Sequence, residues 1–338
     1  MKYLVLFDMD LRSLQMLMKN REFKSCYKFA CELLQKNNLG EFEVDFCAKV
    51  FYYFNDSERL NKLLNMEVDS YMYDKISLLL ISRIEVKKSC YIINDIKTFR
   101  QVGKGCVPAV VMSLMNFYGS PQKYKEVISE LKCDITKEGT SIYKMLFYLY
   151  SKQYLLYPFE SKIEIISKVL KENLPIISIT QSDKKENHAR LIYGIDESKG
   201  VLFVSDPSEG KTIIPVVWYE KEFEQKDLCI VAFPEHYSVN KEVLQNIYNE
   251  SEYYNLLGVL YDDLELYDKS YEMFRVGIQK KGANADIYNN FALLLIKLNR
   301  YEEALLYSQT SIWMDCSVDE YKETNELIKR YIGRNYDT

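Results

Sequence analysis

Of the eight cysteines in this 338-residue sequence, Cys106 is the one whose surroundings favour nucleophilic chemistry. Gly103 and Gly105 interrupt regular structure just ahead of it. Pro108 suits a first helical turn, and Val110, Val111, Leu114 and Phe117 give an apolar helical face ending near Gly119. A thiol at the start of that helix sees the positive end of the helix dipole, which favours the thiolate, the form that attacks carbon. Gln101, five positions earlier, can offer its side-chain amide to a developing oxyanion beside the backbone N–H of Cys106.

Such a nucleophile needs a base within hydrogen-bond reach and a group that orients the base. The chain has two histidines. His236 follows Phe233-Pro234-Glu235 and reads as a linker residue, whereas His188 heads an apolar strand after the polar stretch 182–187 and can project from the strand end. Asp206 closes the next strand, precedes Pro207 and lies 18 positions beyond His188, a spacing that suits two strands joined by a hairpin. Arg190 shares a strand face with His188. It reads either as a contact for a substrate carboxylate or as a surface arginine lying along apolar neighbours. The predicted chemistry is acyl transfer through a thioester, and the residues alone leave hydrolysis and transfer to an amine both open.

These side chains must be positioned by two kinds of element. Helical spacing is expected over 106–117, 123–131, 142–150 and 162–172, the third capped by Gly139-Thr140-Ser141. Short apolar strands follow at 175–180, 188–194 and 201–205, the last two joined by a polar turn ending at Gly200. Helices first and an antiparallel sheet afterwards predict an α+β domain over 95–235. Ahead of it, 1–94 reads as paired helices, with Tyr27, Ala30, Leu33 and Leu34 at helical spacing and Asn37, Asn38 and Gly40 as a stop. After it, 238–338 repeats with a period of 34: Tyr254, Leu257, Gly258, Tyr261, Tyr267, Ser270 and Phe274 recur as Tyr288, Phe291, Ala292, Leu295, Tyr301, Ala304 and Ser308. That period resembles tetratricopeptide repeats, whose stacked helix pairs leave a concave groove for a peptide or protein partner or serve as a purely structural cap.

The stretch from Gln101 to about 223 resembles the papain-like family of bacteriocin-processing, double-glycine leader peptidases. The match is carried by Gln101, Cys106-Val107-Pro108-Ala109, Phe117-Tyr118-Gly119, Gly139-Thr140-Ser141, Leu174-Pro175-Ile176, His188, Gly194-Ile195-Asp196, Asp206-Pro207 and Gly210. The resemblance implies a papain-like fold, a Cys106–His188–Asp206 triad, Gln101 in the oxyanion hole, and leader removal after Gly-Gly as one candidate task. One position departs: Val107 stands where the family has Gly. That departure motivates an alternative, a peptide-binding or regulatory module without turnover, and stand-alone relatives suggest another, an acyltransferase using the same site. The opening Phe7-Asp8-Met9-Asp10 resembles the first motif of haloacid-dehalogenase-like phosphatases. Leu11-Arg12 follows where that family needs Gly-Thr, so a capped helix start is the preferred reading.

Composition excludes other classes. Lys and Arg number 44 against 49 Asp and Glu, a net charge of −5 without long like-charged blocks, which points away from nucleic acid and anionic membranes. No Cys-x-x-Cys or paired histidines suggest zinc, and no cofactor motif is present. No apolar run approaches a membrane span, so a cytoplasmic protein with reduced thiols is expected. The other cysteines, Trp218 and Phe223 read as core, and the 29 tyrosines as packing residues.

Overall fold

The computed structural model describes residues 23–36, 39–66, 70–81, 90–136, 139–159, 161–181, 187–222, 228–240, 243–244 and 249–336. The readings at Asp8, Asp10, Asn37, Asn38, Phe223 and 182–186 lie outside the described residues. The rest fall into two compact units, one within 1–140 and 161–231 and the other within 141–160 and 232–338.

In the first unit the leading helices are α1 (Phe23–Leu33), α2 (Glu41–Tyr53), α3 (Ser57–Leu64) and α4 (Ser70–Ile81). Asp56 caps α3 by accepting from the Arg59 N–H at 3.1 Å, and its other oxygen takes Tyr27 and the Arg59 guanidinium, which ties α1 to α3. Strand β1 (Cys90–Ile92) leads to helix α5, Cys106–Phe117, and then to α6 (Tyr124–Glu130). Helix α7 (Ile142–Ser151) and strand β2 (Tyr154–Phe159) belong to the second unit. The first unit resumes with α8 (Ile163–Lys171), β3 (Ile176–Gln181), β4 (Asn187–Asp196), β5 (Val201–Asp206), β6 (Gly210–Pro215), α9 (Val216–Glu222) and the start of β7 (Leu228–Pro234).

The strands of this unit run in the order β7-β3-β4-β5-β6, with β1 alongside β4, and every pairing is antiparallel. The α+β layout read from the sequence is therefore present. Helices α5 and α8 lie against β4, whose residues Leu191, Ile192 and Ile195 are fully buried. The β4–β5 register slips at Tyr193, between Ile192↔Val204 and Gly194↔Phe203, so one extra residue bulges out. Glycine is needed beside that bulge. A Cβ at 194 would stand 2.8 Å from the Tyr91 carbonyl oxygen and 3.1 Å from the Phe203 ring.

The second unit holds the repeats as antiparallel helices α10 (Glu250–Asp263), α11 (Tyr267–Gly277), α12 (Ala285–Lys297), α13 (Tyr301–Met314) and α14 (Asp319–Tyr336). The 34-residue period corresponds to the pairs α10–α11 and α12–α13. Phe274, Ile287, Phe291, Ala292, Leu295 and Ala304 form a buried cluster. Small residues let the paired helices approach. A Cβ on Gly258 would stand 2.6 Å from the Phe274 ring, and in the next repeat the same two positions are Ala292 and Ser308, a smaller ring-free partner for a larger small residue.

Candidate active site

Cys106 is the first residue of α5, and the loop before it is tightly built. Gly103 has φ +54°, a conformation that favours glycine, and a Cβ there would collide with the Ile135 carbonyl. The Lys104 N–H donates to that same carbonyl oxygen at 2.8 Å, and the Val102 N–H donates to the Tyr124 hydroxyl at 3.0 Å. Gly105 leaves room for that hydroxyl, which would be 2.5 Å from a Cβ at 105. The Gln101 backbone N–H donates to the Pro207 carbonyl at 3.0 Å, so the loop before the cysteine is tied to the turn after β5. The Gln101 side-chain nitrogen donates one N–H to the Gly103 carbonyl at 3.0 Å, which fixes the side chain and leaves its second N–H for another acceptor. Val107 is only 5% exposed, so the valine that replaces the expected glycine is turned into the core.

The strands supply the other groups. The β4–β5 register, Leu191↔Ser205, carried one step further sets Arg190 opposite Asp206. His188 then lies diagonally across on the same face, within reach of a long or aromatic side chain. His188 Nε2 lies 2.9 Å from Asp206 Oδ2, so Nδ1 is the ring nitrogen left for another partner. Arg190 Nε donates to the same Oδ2 at 3.0 Å. The other carboxylate oxygen, Oδ1, accepts from the Ser208 N–H at 2.7 Å, the Ser208 hydroxyl at 2.6 Å and the Glu209 N–H at 3.2 Å, closing an Asx turn. The structure therefore groups Cys106, His188 and Asp206, and brings the Gln101 backbone onto the Asp206 turn.

Electrostatics follow from this geometry. Burial opposes ionisation of Asp206, yet the hydrogen bond and charge of His188, the charge of Arg190 and the Ser208 hydrogen bond hold its carboxyl well below the usual carboxylate range. Burial also works against a charged His188, but hydrogen bonds to Asp206 and Cys106 and the Asp206 charge push the imidazole up to about 9, with Arg190 acting in the opposite direction. Burial would raise the Cys106 thiol, but the His188 hydrogen bond, the N–H of Ala189, the His188 charge and the N–H of Val107 bring it below its ordinary value. A depressed thiol beside a raised imidazole is the arrangement of a thiolate–imidazolium pair.

The sequence had not assigned Arg190 to Asp206. Period-two alternation places residues 188 and 190 on one face, and the Asp206-Pro207-Ser208 run signals an Asx turn. Neither says what lies across the sheet. The turn is held from a third side by α2: Lys49, itself buried, pairs with Asp45 at 2.7 Å and with Glu209 at 3.3 Å. Among the described residues no group of three or more His, Cys, Asp or Glu side chains is placed to hold a metal. No helix there is long and apolar enough to cross a membrane.

Comparison with known proteins bears on the same segments. Residues 93–239 match the Peptidase_C39 like family. Residues 285–312 match the tetratricopeptide repeat, covering α12 and most of α13. The resemblance read from Gln101 onward thus extends over the whole α+β segment, which has the papain-like order of helices and sheet. No curated protein matches the sequence. Among solved structures, the peptidase domain of Streptococcus ComA, a bi-functional ABC transporter involved in a quorum sensing pathway, is similar at 19% identity and TM-score 0.37, over 42% of this chain and all of that one. A double glycine motif protease from an AMS/PCAT transporter in complex with the leader peptide is similar at 13% identity and TM-score 0.31, over 44% of this chain and 94% of that one. The second TPR of Spaghetti (RPAP3), bound to an HSP90 peptide, is similar at 24% identity and TM-score 0.24, over 25% of this chain and 79% of that one.

Proposed function

We propose that this protein is a cysteine peptidase that cleaves a peptide or protein substrate through a thioester on Cys106, with its helical repeats recruiting the substrate or a partner. The observation that carries the reading is that His188 Nε2 lies 2.9 Å from the Asp206 carboxylate while the same imidazole draws the Cys106 thiol below its ordinary value. In this mechanism the thiolate attacks the carbonyl carbon, and the displaced electron pair collects on oxygen. There it is received by the Cys106 N–H and the second N–H of the Gln101 amide. The imidazolium gives its proton to the leaving amine as the C–N bond breaks, which leaves a thioester and a neutral imidazole. That imidazole takes a proton from water as the oxygen attacks the thioester, and the C–S bond then breaks to release the carboxylic product and restore the thiolate–imidazolium pair. Asp206 holds the ring in the tautomer and orientation that both steps require.

The pH dependence has a defined sign. Turnover falls at acid pH as the thiolate is protonated, and it falls again as pH rises through about 9, where His188 loses the proton destined for the leaving amine. An amine in place of water would convert the same thioester into an amide, so mass spectrometry of products formed with and without an added amine distinguishes hydrolysis from transfer.

The test is incubation with a proteome-derived peptide library, with new termini read by mass spectrometry. The expected result is a set of new termini that disappears with Cys106→Ala. Termini unchanged by that substitution, or peptides retained intact by the wild-type protein with none cleaved, would overturn the peptidase reading, the second outcome in favour of a capture module.

A further inference from the structure

Asp206 has more partners than the mechanism above requires. Its Oδ1 is committed to the Asx turn by Ser208 and Glu209, and this alone fixes the carboxylate in place. Its Oδ2, with two lone pairs, is shared by His188 Nε2 at 2.9 Å and Arg190 Nε at 3.0 Å and so is filled by them. Both side chains are largely covered, His188 at 23% and Arg190 at 17% side-chain exposure, with Asp206 at 4%, so solvent screens this three-way contact little.

We propose that Arg190 is a positioning residue of this site, which competes with His188 for Asp206 Oδ2 and thereby limits how firmly the carboxylate holds the imidazolium. The proposal rests on Cys106, His188 and Asp206 being the reacting groups. Other charges near the guanidinium come from α2, α4 and the turn after β5. Glu41, Asp45, Lys49, Lys75 and Glu209 line, with Arg190 and Asp206, a cavity of about 340 Å³. They are largely engaged with one another, since Lys49 pairs with Asp45 and Glu209, and Lys75 lies 3.5 Å from Asp45. On the α5 side, the titratable group beside the ring is Cys106. Arg190 is thus the cation bonded to the very oxygen that orients the imidazole.

The consequence is chemical. A carboxylate that serves the imidazolium alone would stabilise its proton more strongly and make it a poorer acid toward the leaving amine. By drawing on the same oxygen, the guanidinium keeps the proton more transferable while leaving Asp206 ionised. Lysine at 190 would keep the charge but lose the planar fork that reaches Oδ2 through Nε.

The chain has only two histidines, so the ring-proton NMR resonances of His188 and His236 can be followed through a pH titration of the full chain, with His236→Gln making the assignment. With Arg190→Gln the His188 midpoint moves upward and with Arg190→Lys it moves upward by less, while a circular dichroism spectrum and urea midpoint close to those of the wild type report an intact fold. Cleavage of a library peptide at neutral pH falls roughly tenfold in Arg190→Gln, the scale of one charge-assisted hydrogen bond. If Arg190→Gln does not fold, Arg190→Lys carries the test alone. A His188 midpoint that is unmoved or lowered in a folded variant overturns the proposal. If no Cys106-dependent cleavage exists but the midpoint still rises, the sharing of Oδ2 stands and the peptidase reading falls, so the two failures are distinguishable.

Discussion

The turns at the two ends of the β4–β5 hairpin are built alike and do different things. After β4, Asp196 Oδ1 accepts from the Ser198 N–H at 3.0 Å, the Ser198 hydroxyl at 2.6 Å and the Lys199 N–H at 3.1 Å. After β5, Asp206 Oδ1 makes the same three contacts with Ser208 and Glu209. Both aspartates are buried. What separates them is the second carboxylate oxygen. Among the described residues no imidazole or guanidinium reaches Asp196 Oδ2, whereas Asp206 Oδ2 meets His188 and Arg190. An Asx turn is a local solution to a chain reversal. It becomes part of a site only where the neighbouring strand presents a titratable side chain across from it.

The largest effect that would break or sharpen this comparison comes from amide substitution. Asp206→Asn is expected to lower Cys106-dependent peptide cleavage by on the order of 10³-fold, because an amide supports the wrong imidazole tautomer. Asp196→Asn keeps cleavage within about twofold and costs only about 1 kcal/mol in urea denaturation. Equal losses of activity in the two variants would erase the distinction.

A smaller effect lies in the pH dependence of stability. His188 is raised from its ordinary value to about 9 in the folded chain. Its contribution is therefore fully present below pH ~6.5 and is lost as pH rises through about 9, with about 2–3 kcal/mol at stake. Denaturation midpoints of the wild type decline over that window, and His188→Gln flattens the decline. Asp196→Asn leaves the slope intact.

The smallest effect concerns the serines. Ser208→Ala and Ser198→Ala each remove one hydroxyl donor from a carboxylate oxygen and cost about 1 kcal/mol alike in urea denaturation. Only Ser208→Ala moves the His188 titration, since only that carboxylate is shared with the ring.

This comparison also marks what was legible in the sequence. The strands at 176–181 and 201–206 and the helix at 106–117 were readable from apolar periodicity and from glycines at their ends. The 34-residue repeat was readable because its small residues, Gly258 and Ala292, recur where helices must approach. Strands β1, β2, β6 and β7 were not read. β1 is three residues long and depends on β4 for its hydrogen bonds, and β6 carries Lys211 and Thr212 amid a short apolar run. For β1 and β6, tertiary pairing rather than local pattern makes the strand. At the site, Cys106, His188 and Asp206 stood out because each occupies the end of an element. The partner of Arg190 did not, because register between β4 and β5 is fixed by the whole hairpin and by the bulge at Tyr193. Val107, a bulkier residue beside the cysteine, departs from the family pattern, and here its side chain is buried.

The central claim is that Cys106 is held as a thiolate by His188, and it is tested most directly by peptide-resolved iodoacetamide labelling near pH 6. Cys106 should be alkylated faster than the exposed Cys90 and Cys316, and His188→Gln should remove that advantage while leaving the other two unchanged. A Cys106 that reacts no faster than those two exposed thiols, or whose rate is indifferent to His188→Gln, would contradict the account.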